Sequence, residues 1–227
     1  MKHDARQAGE TAKEYAYRTL KENIITMELE PGCTLNDMEL SQLIGVSRTP
    51  VREAIIKLKE ESGIIEIFPQ RGMRIALIDT ELVREARFLR LTLERAMAEL
   101  ACDMAGKEDF VWLEENLALQ ELYLKNNNPI KLLELDNELH KKLFIICHKE
   151  HIYRVSQGLS IHFDRVRNTE AGSTPNGSKI LKDHHSLVQA IRDKDKERAK
   201  QIIEVHLERW HMNEMRLRKE CPQYFKN

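Results

Sequence analysis

The 227-residue sequence is poor in aromatic residues, 6% against 32% charged residues. That balance is typical of helical proteins that face water. Paired cysteines are absent: Cys33, Cys102, Cys147 and Cys221 lie far apart and form no CxxC. Such spacing points to reduced packing thiols of the cytoplasm and away from a disulfide scaffold. No apolar run is long enough for a signal peptide or a membrane span, so a cytoplasmic protein without a membrane partner is expected. A one-sided charge is missing as well, since the formal net charge is −1. Any nucleic-acid binding must therefore come from a local face. There is no internal repeat, and the length allows one large or two small domains, each with its own core.

What is present is concentrated first in Gly45-Val-Ser-Arg-Thr-Pro-Val-Arg-Glu-Ala54. A glycine ends one short segment, and Ser47 is placed to cap the next helix through its hydroxyl. Pro50 falls in the first turn, where a missing N–H costs nothing. Arg48 and Arg52 are four apart and share one face with Thr49 near the helix start. Such an end suits the major groove of DNA, where arginine bonds guanine bidentately and a hydroxyl reaches a phosphate or base edge. Taken alone, the stretch fits a capped surface helix equally well.

Its surroundings add weight. Tyr17, Leu20, Ile24 and Met27 recur at helical spacing and stop before Pro31-Gly32. Met38 to Ile44 predicts a short second helix with Leu40, Leu43 and Ile44 apolar. Ser47 to about Glu60 predicts a third, burying Val51, Ile55 and Leu58. The period then changes to alternation at Ile65-Glu66-Ile67 and at Met73, Ile75 and Leu77, with a turn at Pro69-Gln-Arg-Gly72. Three helices and a hairpin describe a winged helix-turn-helix, with Arg71 and Gly72 at the wing tip. The Pro31-Gly32 turn, Glu39-Leu40, the decapeptide and the Pro69–Gly72 wing together resemble the GntR family of bacterial transcription regulators. The family usually has an arginine where this chain has Met38, and one extra residue separates Leu58 from Gly63.

From Asp79 onward helices are predicted at 80–105, 107–126, 129–148, 151–168, 178–192 and 195–219, with Pro129 opening the third and Ala171–Ser178 a loop. The chain thus divides into a winged helix-turn-helix over 1–78 and an all-α antiparallel bundle over 79–227. His3, His148, His151 and His211 sit at helix ends or polar positions and predict solvated roles. Others point inward. His184 centres the apolar arc of Ile180, Leu181, Leu187, Val188 and Ile191, and His206 that of Ala199, Ile202, Ile203, Trp210 and Leu217. Asp136 and His140, at i and i+4, share a face with Leu132, Leu133, Leu143 and Cys147. A lone inward histidine is usually a hydrogen-bonded core residue, but an inward aspartate is costly without a partner. A divalent metal held by Asp136, His140, His184 and His206 is the economical explanation.

This set also resembles, in order and spacing, the metal site of the FCD effector domain found in the FadR subfamily of GntR regulators. The resemblance implies an open coordination position completed by water or a small carboxylate effector, with zinc, nickel or manganese all admissible. Arg90 lies on the inward arc of Ala86, Leu93 and Met97, and Arg90-Leu-Thr-Leu-Glu94 matches a family pattern that often lines the effector cavity. Snorkelling to the surface or a salt bridge to Glu94 explains Arg90 as well. Arg165, Arg167, Asn168 and His162 are further candidates for that cavity.

The sequence therefore predicts a ligand-responsive regulator that is not an enzyme. It is expected to bind a palindromic operator as a homodimer, since one small reading head rarely supplies enough specificity. Repression is the commoner mode in the family. The rival is a metal-dependent hydrolase or isomerase using the same Asp/His3 set. It leaves the N-terminal signature unexplained and finds no general base beside the ligands, because Glu138 faces away from Asp136.

Overall fold

The computed structural model describes residues 1–2, 4–168, 174–208 and 210–226. They form two compact units. The first comprises Met1–Val83, Gly158–Thr169 and Arg216–Asn227, the second Arg84–Gln157 and Glu170–Met215. The predicted cut at residues 78/79 follows the chain, whereas the units follow packing. Two later segments therefore fall in with the N-terminal one. No described helix is long and apolar enough to cross a membrane.

In the first unit, α1 (Ala12–Ile25) starts at a capping box in which Thr11 Oγ1 accepts from Glu14 N–H and the Glu14 carboxylate accepts from Thr11 N–H. Helix α2 (Asp37–Ile44) is capped by the Asn36 side chain and stopped by Gly45 at φ +75°. Such a left-handed turn is cheap only for glycine. Helix α3 (Arg48–Ser62) follows Ser47, which occupies the cap position but makes no side-chain cap bond, contrary to the sequence expectation. A cap is worth about 1 kcal/mol, whereas each fully buried aliphatic side chain is worth about 1.5–3 kcal/mol. Val51, Ile55 and Leu58 are all buried, so the apolar face is enough to hold α3. Leu40 and Ile44 of α2 are buried too, but Leu43 is 55% exposed.

The wing is the hairpin β2 (Ile65–Phe68) and β3 (Gly72–Ile75), paired Ile65↔Ile75 to Phe68↔Gly72. A short strand the sequence did not announce, β1 (Thr34–Leu35), pairs with the other edge of β3, giving the antiparallel order β1-β3-β2. Two residues are too few to show a period of two. Leu20, Ile24, Val51, Ile55, Leu58, Ile64, Ile65 and Ile75 share one core.

Beyond the wing come α4 (Thr80–Met104), α5 (Lys107–Lys125), α6 (Pro129–Ile146), α7 (Glu150–Leu159), α8 (Ile161–Asn168), α9 (Thr174–Arg192), α10 (Lys196–Glu208) and α11 (Trp210–Glu220). The single helix predicted over 151–168 is broken at Ser160 into α7 and α8, and α8 packs with α1 in the first unit. The predicted helix 195–219 is described as α10 and α11, and the residue between them, 209, lies outside the described residues. Helix α9 starts at Thr174, four residues before the predicted end of the loop, and residues 171–173 of that loop lie outside the described residues, as does His3. In the second unit α5 packs on α6 and α9, and α9 on α10. Its core includes Leu113, Leu117, Leu139, Leu143, Phe144, Leu187, Ile191, Ile203 and Leu207.

Candidate metal centre and DNA-reading helix

Helix α6 presents Asp136 and His140 one turn apart, α9 presents His184 and α10 presents His206, all between 1% and 3% exposed. One ligand atom from each lies within 4.8 Å of the others. Asp136 Oδ1 is 3.4 Å from His184 Nε2, 3.8 Å from His140 Nε2 and 3.9 Å from His206 Nε2. Bonds of about 2.1 Å at roughly 90–109° would set ligand atoms about 3.0–3.4 Å apart. The four atoms are thus nearly at coordination spacing.

The donor set fits a metal on a further ground. His140 Nε2 and His206 Nε2 stand 3.1 Å apart. Carboxylates stand beside the opposite ring nitrogens: Glu94 Oε2 lies 2.6 Å from His140 Nδ1, and Asp183 Oδ2 is 3.6 Å from His206 Nδ1, beyond hydrogen-bond distance. With protons on both Nδ1 atoms, two lone pairs face each other across that short gap, an arrangement a cation relieves. His184 Nε2 is buried with no hydrogen-bond partner among the described residues. Burial pushes the His206 pKa down to about 3, the nearby Asp183 only partly opposing it. It lowers that of His140 too, against the pull of Glu94. Both imidazoles are therefore neutral near pH 7, the form that ligates metal.

Arg90 makes the i, i+4 salt bridge to Glu94 and stays largely buried rather than snorkelling to the surface. Its Nε donates to Glu94 Oε1 at 2.6 Å. Burial alone would raise the Glu94 pKa, but Arg90 and His140 outweigh it and bring it down to about 2. Arg90 thus reaches the cluster through Glu94. Sequence reasoning missed Glu94 as a partner of His140, and Gln120, whose Oε1 lies 2.8 Å from His184 Nδ1. A buried polar pair on the apolar stripe of α5, Asn116 and Gln120 beside Leu113 and Leu117, was the available signal.

The further cavity candidates Arg165, Arg167, Asn168 and His162 are not in this cluster. They ride on α8, in the first unit. Arg165 Nη2 donates to the Ala76 carbonyl at 2.9 Å, and Asp79 N–H donates to His162 Nδ1 at 3.3 Å. The break at Ser160, invisible to helical periodicity, redirected them.

In the first unit, Ser47, Arg48, Thr49 and Arg52 are all exposed at the start of α3, as are Arg71 and Gly72 at the wing tip, where Gly72 has φ +93°. Arg48 and Arg52 share a face, and both donate to the Asp37 carboxylate at the start of α2. Desolvation works to raise the Asp37 pKa, and the two arginines reverse it to a net lowering. Met38, next to Asp37, is half exposed and brings no charge to this surface.

The chain matches the family models of the FCD domain over residues 85–209 and of "Bacterial regulatory proteins, gntR family" over residues 12–75. It is 30% identical over 209 residues to the HTH-type transcriptional repressor RspR of Escherichia coli (strain K12), covering 92% of this chain and 91% of that protein. It is 29% identical to an HTH-type transcriptional regulator, YdhC of Bacillus subtilis (strain 168), over 84% of this chain and 85% of that one. Among solved structures it resembles E. coli McbR/YncC, with a TM-score of 0.76 over 88% of this chain and 94% of that chain. At 18% identity this likeness speaks for the fold. The names of these relatives are those of regulators and not of enzymes.

Proposed function

The chain belongs to the gntR family of bacterial regulatory proteins, with an FCD domain, and so is a DNA-binding transcription regulator and not an enzyme; from that premise we propose that it is a cytoplasmic, homodimeric repressor whose operator affinity responds to a small carboxylate bound at a metal ion. The observation that carries this reading is the buried cluster of Asp136, His140, His184 and His206, with three imidazoles converging on one aspartate oxygen. A divalent ion there would supply a Lewis-acidic point to which a carboxylate can bind. The protein's own groups do the rest. Glu94, paired with Arg90, orients the His140 imidazole, and Arg90 brings a buried positive charge near the site.

In the first unit, Ser47, Arg48, Thr49 and Arg52 read base edges and phosphates in the major groove, with Arg71 and Gly72 at the flanking wing, all within a DNA-binding domain over residues 1–78. Two copies read a palindrome, because two-fold symmetry doubles a modest contact set. The effector alters operator affinity only to the extent that it binds the two states of the protein unequally. The repressor assignment follows the name of the relative RspR.

Arg52→Ala tests the reading head. Losing one bidentate base contact costs about 1–3 kcal/mol per half-site, so operator affinity in an anisotropy titration should fall at least tenfold while circular dichroism stays unchanged. Unaltered operator binding by this variant would refute the assignment.

A further inference from the structure

Helix α5 supplies no ligand to the metal cluster, yet it packs against both α6 and α9. Two of its residues, Asn116 and Gln120, are 3% and 1% exposed, one turn apart beside Leu113 and Leu117. Buried amides are costly unless their donors and acceptors are matched. Here the matching runs in one direction. Asn116 Nδ2 donates to the Leu135 carbonyl at 3.1 Å, Gln120 Nε2 donates to Asn116 Oδ1 at 2.7 Å, and Gln120 Oε1 faces His184 Nδ1 at 2.8 Å.

The direction follows from chemistry alone. A backbone carbonyl only accepts, so the end of Asn116 that meets Leu135 is its NH2 group. Asn116 then turns Oδ1 to Gln120, which must answer with its own NH2. That leaves the Gln120 oxygen toward His184, and an oxygen acceptor requires a proton on Nδ1. In the Nδ1–H tautomer the lone pair is on Nε2, which is buried, has no hydrogen-bond partner among the described residues and lies 3.4 Å from Asp136 Oδ1. The anchor of the relay, Leu135, immediately precedes Asp136 in the chain.

We propose that Asn116 and Gln120 are positioning residues that hold His184 as the Nδ1–H tautomer and tie it, through α5, to the backbone beside Asp136. The proposal rests on the metal reading of the site, but the tautomer it specifies exists without any ion. Beside the other two imidazoles the group nearest Nδ1 is a carboxylate, Glu94 Oε2 at 2.6 Å from His140 and Asp183 Oδ2 at 3.6 Å from His206. His184 alone is held by a neutral amide. The relay gives orientation without adding negative charge to a cluster that already has three carboxylates around it.

Long-range proton–nitrogen NMR of the metal-free full-length protein, with a competition titration of Zn2+ against a chromophoric chelator, tests it. The expected result is a protonated Nδ1 and a bare Nε2 in His184 of the wild type. Gln120→Met, close in shape but without an acceptor, is expected to lose that tautomer preference and to bind Zn2+ about 10–100-fold more weakly. Gln120→Glu keeps an acceptor toward His184 and is expected to retain affinity within a few-fold. Asn116→Ser cuts the relay one link farther out, so a smaller loss in the same direction is expected, which serves should Gln120→Met fail to fold. A proton on Nε2 in the wild type, or an unchanged tautomer and affinity in Gln120→Met, overturns the proposal. If the wild type takes up no Zn2+, the metal reading falls, and the His184 tautomer still decides the relay.

Discussion

Arg48 Nη2 donates to both oxygens of the Asp37 carboxylate, at 3.0 and 3.2 Å, and Arg52 Nε joins it on Oδ2. One acidic side chain at the start of α2 thus holds both guanidiniums of α3 that are suited to DNA. An arginine fork already oriented loses less freedom on meeting a guanine, while the carboxylate repels a phosphate that is not in register. Asp37→Asn should therefore strengthen binding to scrambled duplex and narrow the ratio between operator and scrambled DNA. Anisotropy titrations of both duplexes at two salt concentrations read this directly. The same change removes an acidic group from the first turn of α2, which is worth about 0.3–1 kcal/mol, so a small drop in melting temperature is expected.

Acid should destabilise the first unit through His162. Burial, and then the neighbouring Arg165, lower its pKa to about 4 from an ordinary value of 6.5, against the pull of Asp79; Lys226 adds to the lowering. Its Nδ1 accepts from Asp79 N–H and so has no place for a proton. Because the folded value is depressed, the stabilisation is complete above pH 6.5 and is lost as pH falls from 6.5 toward 4, where the unfolded chain takes up a proton that the native one refuses. At about 1.4 kcal/mol per pH unit, the contribution is capped at roughly 3 kcal/mol. Denaturant melts of the wild type and His162→Asn across that window should converge as pH falls. Parallel curves would count against the assignment.

Glu94 joins Arg90 to His140 inside the second unit, and its removal should be felt at both ends. Glu94→Gln removes the carboxylate charge that Arg90, only 12% exposed in its side chain, faces at 2.6 Å. Breaking such a buried pair costs about 3–5 kcal/mol. It also takes the carboxylate from His140 Nδ1, which should weaken metal affinity about 10–100-fold. Arg90→Leu strands the carboxylate instead, so a comparable stability loss is expected while the Glu94–His140 contact remains. Chemical denaturation and chelator competition on the two variants separate the effects.

Much of this was readable in the residues, and the failures have physical causes. Inward helical arcs at 3.6-residue spacing identified Asp136, His140, His184 and His206, which the structure brings together, because a polar group on an apolar stripe is a strong signal. The head was legible because Gly45, Ser47 and Pro50 punctuate helices through local backbone chemistry. The pairing of Arg48 and Arg52 with Asp37 was not, since it spans two helices with no fixed spacing between them. Nor was the break at Ser160, because residues 151–168 keep one helical pattern while α8 turns to the first unit. Gln120 and Asn116 stood on a readable stripe, but only the Leu135 carbonyl, 19 residues from Asn116, shows which way their amides point.

Native mass spectrometry of full-length protein purified without chelators tests the central claim most directly. One divalent ion per chain in a dimer, lost in His206→Ala, is the predicted spectrum. A metal-free wild type that stays metal-free after incubation with zinc, nickel and manganese would contradict it.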